Sequence, residues 1–335
     1  MSHQDEQTAA ALEAVSNACT IARDVQQNLE QVREITKDDR SPVTVADFAV
    51  QAIIALELKR ALGEDVKIVG EEHAGVLRED RNAAVREAVI GSVQLLHPDA
   101  SEDAILSAID DCDHDGSAAS YWTLDPIDGT KGFLRAQQYA IALALIEHGE
   151  VKIGVMGSPN LPMNQSMPLD EADNHGTIYA GAAGYGTWEY RADDVSAAPN
   201  RIKLLPEPTN EPLRVCESVE AAHSDQSGTA KLIERLGGAG EPARLDSQAK
   251  YAVVARGQAD AYFRLPTSKT YVEKIWDHAA GSLIATEAGA VVSDVAGEAL
   301  DFTHGRLLSA NRGVICAVAH WHGRIIDAIR ELGMG

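Results

Sequence analysis

Two carboxylates that flank a Pro-Ile pair are the residues in this sequence best placed to do chemistry. Asp125 and Asp128 lie in the segment WTLDPIDGTKGF, where the apolar residues before Asp125 predict a buried strand. The proline favours an extended Asp125, and Gly129 lets the backbone approach a ligand closely. We therefore expect both carboxylates and the Ile127 carbonyl to converge on one point, an oxygen-rich environment that Mg²⁺ favours.

The Gly-Thr pair that follows adds the possibility of an anion site. Gly129 and Thr130 can offer backbone N–H groups to an anion, especially if they begin a helix. A metal ion beside a phosphate is the arrangement used in metal-assisted phosphoryl transfer. The alternative is an Asp-rich turn that binds nothing, and this segment alone does not separate the two.

Three further segments each place an acid beside a predicted element. Glu71 follows the apolar strand Val66–Val69. Asp47 is expected in the first turn of a helix capped by Thr44, and Asp277 precedes a helix rich in small residues. The order and spacing of the four segments resemble the signature set of the lithium-sensitive, Mg²⁺-dependent phosphomonoesterases. That superfamily includes inositol monophosphatase, fructose-1,6-bisphosphatase and the 3′(2′),5′-bisphosphate nucleotidases.

The resemblance implies a fold and an active site. The fold is the α/β sugar-phosphatase fold, in which layers of helices and sheets alternate. The active site would hold two or three Mg²⁺ ions on Glu71, Asp125, Asp128, Asp277 and the Ile127 carbonyl. Asp47 and Thr130 would orient and deprotonate the attacking water, and Gly129 and Thr130 would also contact substrate.

The segment LDSQAKYAVVARGQADAYFRLP resembles the nucleotide-binding stretch of the bisphosphate nucleotidases. The resemblance places Ser247, Lys250 and Arg264 on the 5′-phosphate and sugar of a nucleotide. Ser247 and Lys250 would share one face of a helix, and Arg264 would offer a planar fork from the next strand. The alternative is a helix cap, a solvated lysine and a surface ion pair. His223, in ESVEAAHSDQ, is either a nucleotide contact or a structural histidine.

Composition limits the class of protein. The formal net charge of −22 argues against a nucleic acid polymer as partner. No apolar run approaches the roughly 20 residues that span a bilayer, and no signal peptide is visible at the N-terminus. The four scattered cysteines predict reduced, mostly buried thiols. We therefore expect a cytoplasmic enzyme without a nucleic acid polymer or a membrane as partner. The resemblance adds a small nucleotide as partner, and no protein partner is implied.

The distribution of predicted elements suggests two subdomains. Hairpin patterns in the first half predict an antiparallel sheet, and helices alternate with strands in the second half. A proline cluster marks the boundary between residues 1–207, with most of the metal site, and residues 208–335, with the nucleotide-binding residues and Asp277.

Together these features predict a Mg²⁺-dependent phosphomonoesterase. It would hydrolyse the 3′-phosphate of adenosine 3′,5′-bisphosphate to give AMP, and the same site could accept 3′-phosphoadenosine 5′-phosphosulfate. An inositol or sugar phosphatase is the first alternative, although a neutral sugar would leave Lys250 and Arg264 without a purpose. A catalytically dead nucleotide-sensing scaffold is the second, and the complete ligand set argues against it.

Overall fold

The computed structural model of the chain describes residues 3–30, 32, 41–204, 212–219, 226–268 and 270–334. Nine α-helices lie within these ranges: α1 His3–Gln27, α2 Ser41–Leu62, α3 Ala83–Gln94, α4 Glu102–Asp110, α5 Thr130–Leu134, α6 Gln226–Arg235, α7 Ala249–Ala255, α8 Ala279–Ala288 and α9 Ala319–Glu331. Two 3₁₀ turns, Val76–Arg78 and Asp80–Asn82, precede α3. Within the described ranges no helix is both long and apolar enough to cross a bilayer.

The first sheet contains seven strands in chain order. They are β1 Ile68–Gly70, β2 Ser120–Asp128, β3 Ala140–Glu147, β4 Glu150–Ser158, β5 Thr177–Ala182, β6 Gly186–Arg191 and β7 Asn200–Ile202. All neighbours are antiparallel except β1 and β2, which run parallel. The two predicted hairpins are confirmed, and β3 turns into β4 through His148 and Gly149, both at positive φ (51° and 79°). Positive φ at both turn residues matches the twist of a tight hairpin.

The second sheet contains five strands in the order β11-β12-β10-β8-β9. They are β8 Val215–Glu217, β9 Ala243–Arg244, β10 Ala261–Arg264, β11 Ala290–Ser293 and β12 Val314–Val318. The first sheet uses residues up to 202 and the second begins at 215. The predicted subdomain boundary at 207/208 falls in 205–211, outside the described residues, and the subdomain division stays a prediction.

The elements stack in alternating layers, which confirms the predicted fold class. Helices α1 and α2 cover one face of the first sheet, and α8 packs on its other face beside α7. Helices α7 and α8 also contribute to a buried cluster with the second sheet, whose far side packs against α6 and α9. Close approach needs small residues: a Cβ added at Gly281 in α8 would lie 2.2 Å from Tyr251 Cδ2.

Two helix starts differ from the predictions. Helix α2 begins at Ser41, so Thr44 lies inside the helix and Asp47 is in its second turn rather than its first. Helix α7 begins at Ala249, whereas the sequence suggested a start at Ser247. Ser247 instead adopts a left-handed conformation with φ 71°. The predicted common helical face of Ser247 and Lys250 is therefore wrong.

Candidate active site

The predicted metal-binding acids line one cavity of about 560 Å³. It lies at the edge of the first sheet where β1 and β2 end. Its wall is formed by Glu71, Asp125, Ile127, Asp128, Gly129, Thr130, Lys131, Leu134, Arg264, Tyr271, Lys274, Trp276 and Asp277. Residues from both sheets thus meet at this cavity, and eight of the predicted site residues are among them.

Strand register brings Glu71 and Asp125 together. Gly70, the last residue of β1, pairs with Leu124 in the parallel strand β2. The next residue along each chain segment is an acid, Glu71 just after β1 and Asp125 still within β2, so the two acids are neighbours across the strand pair. The pairing of β2 with β3 then shifts register between Asp125 and Asp128. That irregularity follows Pro126, which has no N–H for the ladder.

Asp47 lies behind these acids on α2, and Gln51, one turn later, fixes this helix to the end of β1. The buried Gln51 side chain accepts a hydrogen bond from Glu72 N (3.0 Å) and donates to Glu72 O (2.7 Å). Burial, followed by the charges of Glu72 and Glu71, raises the pKa of Asp47 well above its usual range. A polar residue one turn from Asp47, within the apolar run 48–56, was the signal for Gln51, and sequence reasoning missed it.

The acids around the cavity repel one another strongly. Burial and then the neighbouring acids, Glu71 foremost, raise the pKa of Asp125 well above its usual range. Glu71 keeps a solvent-exposed edge, yet desolvation of its carboxyl followed by the charges of Glu72 and Asp128 raises its pKa to about 7. Oδ1 of Asp125 is buried and accepts no hydrogen bond from any described residue. A buried carboxylate oxygen without a partner, surrounded by other carboxylates, fits a divalent cation.

Asp277 approaches the cavity from the second half of the chain, just before α8. Its Oδ2 lies 3.6 Å from Arg264 Nη2. The same guanidinium bonds Glu273 through Nε (3.0 Å) and Nη2 (2.8 Å). Burial raises the pKa of Asp277 to about 6, against the opposing charges of Arg264 and His278.

Glu273 and His278, which sequence reasoning missed, hold this arrangement in place. Among the described residues, only Glu273, Asp277 and His278 form a group of three acid or histidine ligand atoms within 4.8 Å of one another. His278 contacts Glu273 through Nε2 (3.2 Å) and Tyr251 OH through Nδ1 (2.9 Å). Burial would raise the pKa of Glu273, but His278 and Arg264 outweigh it and lower that pKa to about 2. Glu273 therefore acts as the charged partner of Arg264, and the predicted acids surround the cavity at wider spacing.

The turn before α7 contacts Asp128 through its backbone. Gln248 N donates to Asp128 Oδ2 (2.6 Å), and a Cβ on Gly129 would lie 3.0 Å from Ser247 Cβ. Ser247 Oγ accepts from the N–H of Ala249, the first residue of α7 (3.2 Å). Neither Ser247 nor Lys250 is part of the cavity wall.

Lys250 points into the protein rather than into the cavity. Its Nζ donates to Leu245 O (3.2 Å) and Ser247 O (2.7 Å) and lies 5.1 Å from the centre of the Tyr262 ring. Desolvation by burial lowers the pKa of Lys250 to about 8. The ammonium of a lysine has three N–H groups, and the two carbonyls accept from two of them. The third could still donate to a ligand, and a nucleotide role for Lys250 stays a prediction. His223 lies outside the described residues.

Thr130 begins the short helix α5 and is exposed at the cavity, next to Gly129 with φ 90°. The predicted relay between Thr130 and Asp47 stays a prediction. Elsewhere the four cysteines are free and buried, as the sequence indicated.

The layered fold matches that of solved structures. A crystal structure of CysQ from Bacteroides thetaiotaomicron, a bacterial member of the inositol monophosphatase family, superposes with a TM-score of 0.60 at 19% identity, over 93% of this chain and 96% of that chain. Residues 3–334 match the inositol monophosphatase family, and the chain belongs to that family.

Two relatives are more similar in sequence. A 3′(2′),5′-bisphosphate nucleotidase of Schizosaccharomyces pombe is 43% identical over 88% of this chain and 85% of its own length. A 3′(2′),5′-bisphosphate nucleotidase of Emericella nidulans is 38% identical over 99% of both chains. The predicted resemblance to the bisphosphate nucleotidases is thereby confirmed.

Proposed function

We propose that this chain is a Mg²⁺-dependent 3′(2′),5′-bisphosphate nucleotidase that converts adenosine 3′,5′-bisphosphate to AMP and phosphate. The observation that carries the proposal is the cavity itself, in which four acids, Glu71, Asp125, Asp128 and Asp277, surround the space that Arg264 also faces. Acids suit metal ions, and a guanidinium suits a second phosphate. The names of the similar relatives support the same substrate.

The acids and the Ile127 carbonyl would hold two or three Mg²⁺ ions. Bound Mg²⁺ would lower the pKa of a water molecule and offset negative charge on the phosphoryl group. Thr130 would orient the water and pass its proton to Asp47. Burial and the charges of Glu72 and Glu71 raise the pKa of Asp47, which strengthens its carboxylate as a proton acceptor. Arg264 would anchor the 5′-phosphate, so that only the 3′-phosphate meets the water.

One observation keeps a sugar or inositol phosphatase as a second candidate. A neutral sugar would leave Lys250 and Arg264 without a purpose, yet Lys250 Nζ already bonds two backbone carbonyls. Of these two cations, only Arg264 lines the cavity. The sulfated nucleotide, the cytoplasmic location and the absence of a protein partner remain predictions.

A substrate series with variants tests the proposal. Arg264→Ala should lower kcat/KM on adenosine 3′,5′-bisphosphate by roughly 10- to 100-fold, the loss of one charge-assisted contact. The loss should be much smaller on adenosine 3′-monophosphate, which has no 5′-phosphate to anchor. We expect the same pattern for Lys250→Ala, with a lower melting temperature because two buried carbonyls lose their donor.

The assay measures released phosphate, with inositol 1-phosphate and fructose 1,6-bisphosphate as comparison substrates. Equal losses on both nucleotides would assign Arg264 to the metal site alone. Faster turnover of inositol 1-phosphate than of the bisphosphonucleotide by the unmodified enzyme would favour the second candidate.

A further inference from the structure

The loop between β11 and β12 lies against the loop before β2 and the end of β1, and no local sequence pattern predicts this contact. A Cβ added at Gly116 would lie 2.9 Å from Gly305 Cα, and one at Gly305 would lie 2.9 Å from Asp115 O. This loop and the loop before β2 are therefore in direct backbone contact. The side chain at the centre of this contact is Arg306.

Arg306 bonds the strand that carries Glu71. Its Nη2 donates to Gly70 O (2.6 Å) and its Nη1 donates to His114 O (3.1 Å). Gly70 is the residue directly before Glu71, so the guanidinium fixes the peptide from which that acid leaves the sheet. The planar fork of an arginine reaches two carbonyls at once, which a lysine does not.

The same residue holds the segment that carries Asp277. The guanidinium carbon lies 5.0 Å from the centre of the Trp276 ring, within the range of a cation–π contact. In the backbone, Ile275 N donates to Arg306 O (3.2 Å). Trp276 is buried and directly precedes Asp277. Arg306 thus contacts the neighbours of two acids that come from different halves of the chain.

We propose that Arg306 is a positioning residue that sets the spacing between Glu71 and Asp277 for divalent cations. The inference rests on the proposed metal site. Two acids on separate elements bind a cation well only if their spacing is fixed before the cation arrives, since otherwise ordering them costs part of the binding energy. Asp113, 3.8 Å from Arg306 Nη1 and largely exposed, contributes little as an ion pair.

The test is the binding of Mg²⁺ without substrate, measured by titration calorimetry on the full chain. Arg306→Lys keeps the charge but not the fork. It should raise the Mg²⁺ dissociation constant by roughly 10- to 100-fold, the usual cost of losing support around a metal ligand. The Mg²⁺ concentration for half-maximal activity should rise in parallel, while kcat at saturating Mg²⁺ changes less.

Arg324→Lys is the matched control, because Arg324 also lies over a tryptophan, 3.9 Å from the Trp321 ring centre, but on α9. It should leave Mg²⁺ binding unchanged. Trp276→Phe, which weakens the contact between Arg306 and the segment that carries Asp277, should raise the dissociation constant by less than Arg306→Lys. Dissociation constants within twofold of the unmodified protein for both Arg306→Lys and Trp276→Phe would overturn the inference alone. An unmodified protein that binds no divalent cation would overturn the proposed function with it.

Discussion

Asp125 is the residue on which the charges of the cavity converge. It is buried, its Oδ1 has no hydrogen-bond partner among the described residues, and other acids surround it. An isolated buried carboxylate is costly unless a cation offsets its charge. Under the proposed function, this negative charge would serve a cation rather than the fold.

Asp125→Asn should abolish Mg²⁺-dependent turnover, by roughly 100-fold or more, because a metal ligand loses its charge. The melting temperature in EDTA should be unchanged or higher, since repulsion among the acids falls. Phosphate release and thermal unfolding measure the two effects. Asp327→Asn, an exposed acid on α9 paired with Arg330, is the control and should change neither. Near-normal activity of the Asp125 variant, or collapse of its metal-free fold, would contradict this role.

Individual site residues differ in how well their positions could be predicted from local sequence. Asp125, Ile127 and Asp128 could be placed at a strand end because the apolar run and the proline are local signals. The orientation of the Lys250 side chain could not be predicted, because it depends on a turn in which Ser247 adopts a positive φ. Serine carries no signal for that conformation, and the carbonyls that Lys250 bonds are set by the turn itself.

At the scale of elements, the site is made by strand register and helix packing. The parallel pairing of β1 with β2 was not visible in the sequence, because their partners are 54 residues apart and β1 has only three residues. The hairpins were visible because turn residues separate two adjacent apolar runs. Helix α2 starts at Ser41 rather than near Thr44, with Pro42 in the first turn, where a missing N–H costs nothing.

Gly281 makes the contact between α8 and α7 possible. Gly281→Ala should destabilise the protein by about 1–3 kcal/mol, because the new Cβ would overlap the Tyr251 ring. Gly323→Ala in α9 is the matched control: it has no atom within 4 Å of the added Cβ. Alanine there should stabilise by about 0.5–1 kcal/mol. Urea unfolding measures both, and equal effects of the two substitutions would show that helix propensity, not packing, decides.

At the scale of the whole molecule, the chain has a formal net charge of −22, and four of its acids line one cavity. Two acids at this cavity have raised pKa values in the folded chain. The pKa values of Glu71 and Asp277 rise to about 7 and about 6, from ordinary values of 4.5 and 3.8. The folded state therefore binds more protons than the unfolded chain between about pH 4 and pH 7.

This difference predicts a pH dependence of the metal-free protein. The contribution of these two groups to stability is complete below their unfolded pKa values and is lost as the pH rises through about 6 and about 7. In EDTA, the free energy of unfolding should fall between pH 5 and pH 8. The fall should be larger for the unmodified protein than for Glu71→Gln, whose side chain cannot ionise. Added Mg²⁺ should restore stability at pH 8. Parallel curves for the two proteins would refute the assignment of this pH dependence to Glu71.

The most direct test of the central claim follows both phosphorus atoms of adenosine 3′,5′-bisphosphate by ³¹P NMR in ¹⁸O-labelled water. With Mg²⁺, we predict that the 3′-phosphorus resonance disappears while the 5′-phosphorus resonance remains, and that AMP accumulates. The released phosphate should contain one ¹⁸O atom, since water attacks phosphorus. Loss of the 5′-phosphate, ¹⁸O in the ribose of AMP, or equal turnover in EDTA would contradict the account.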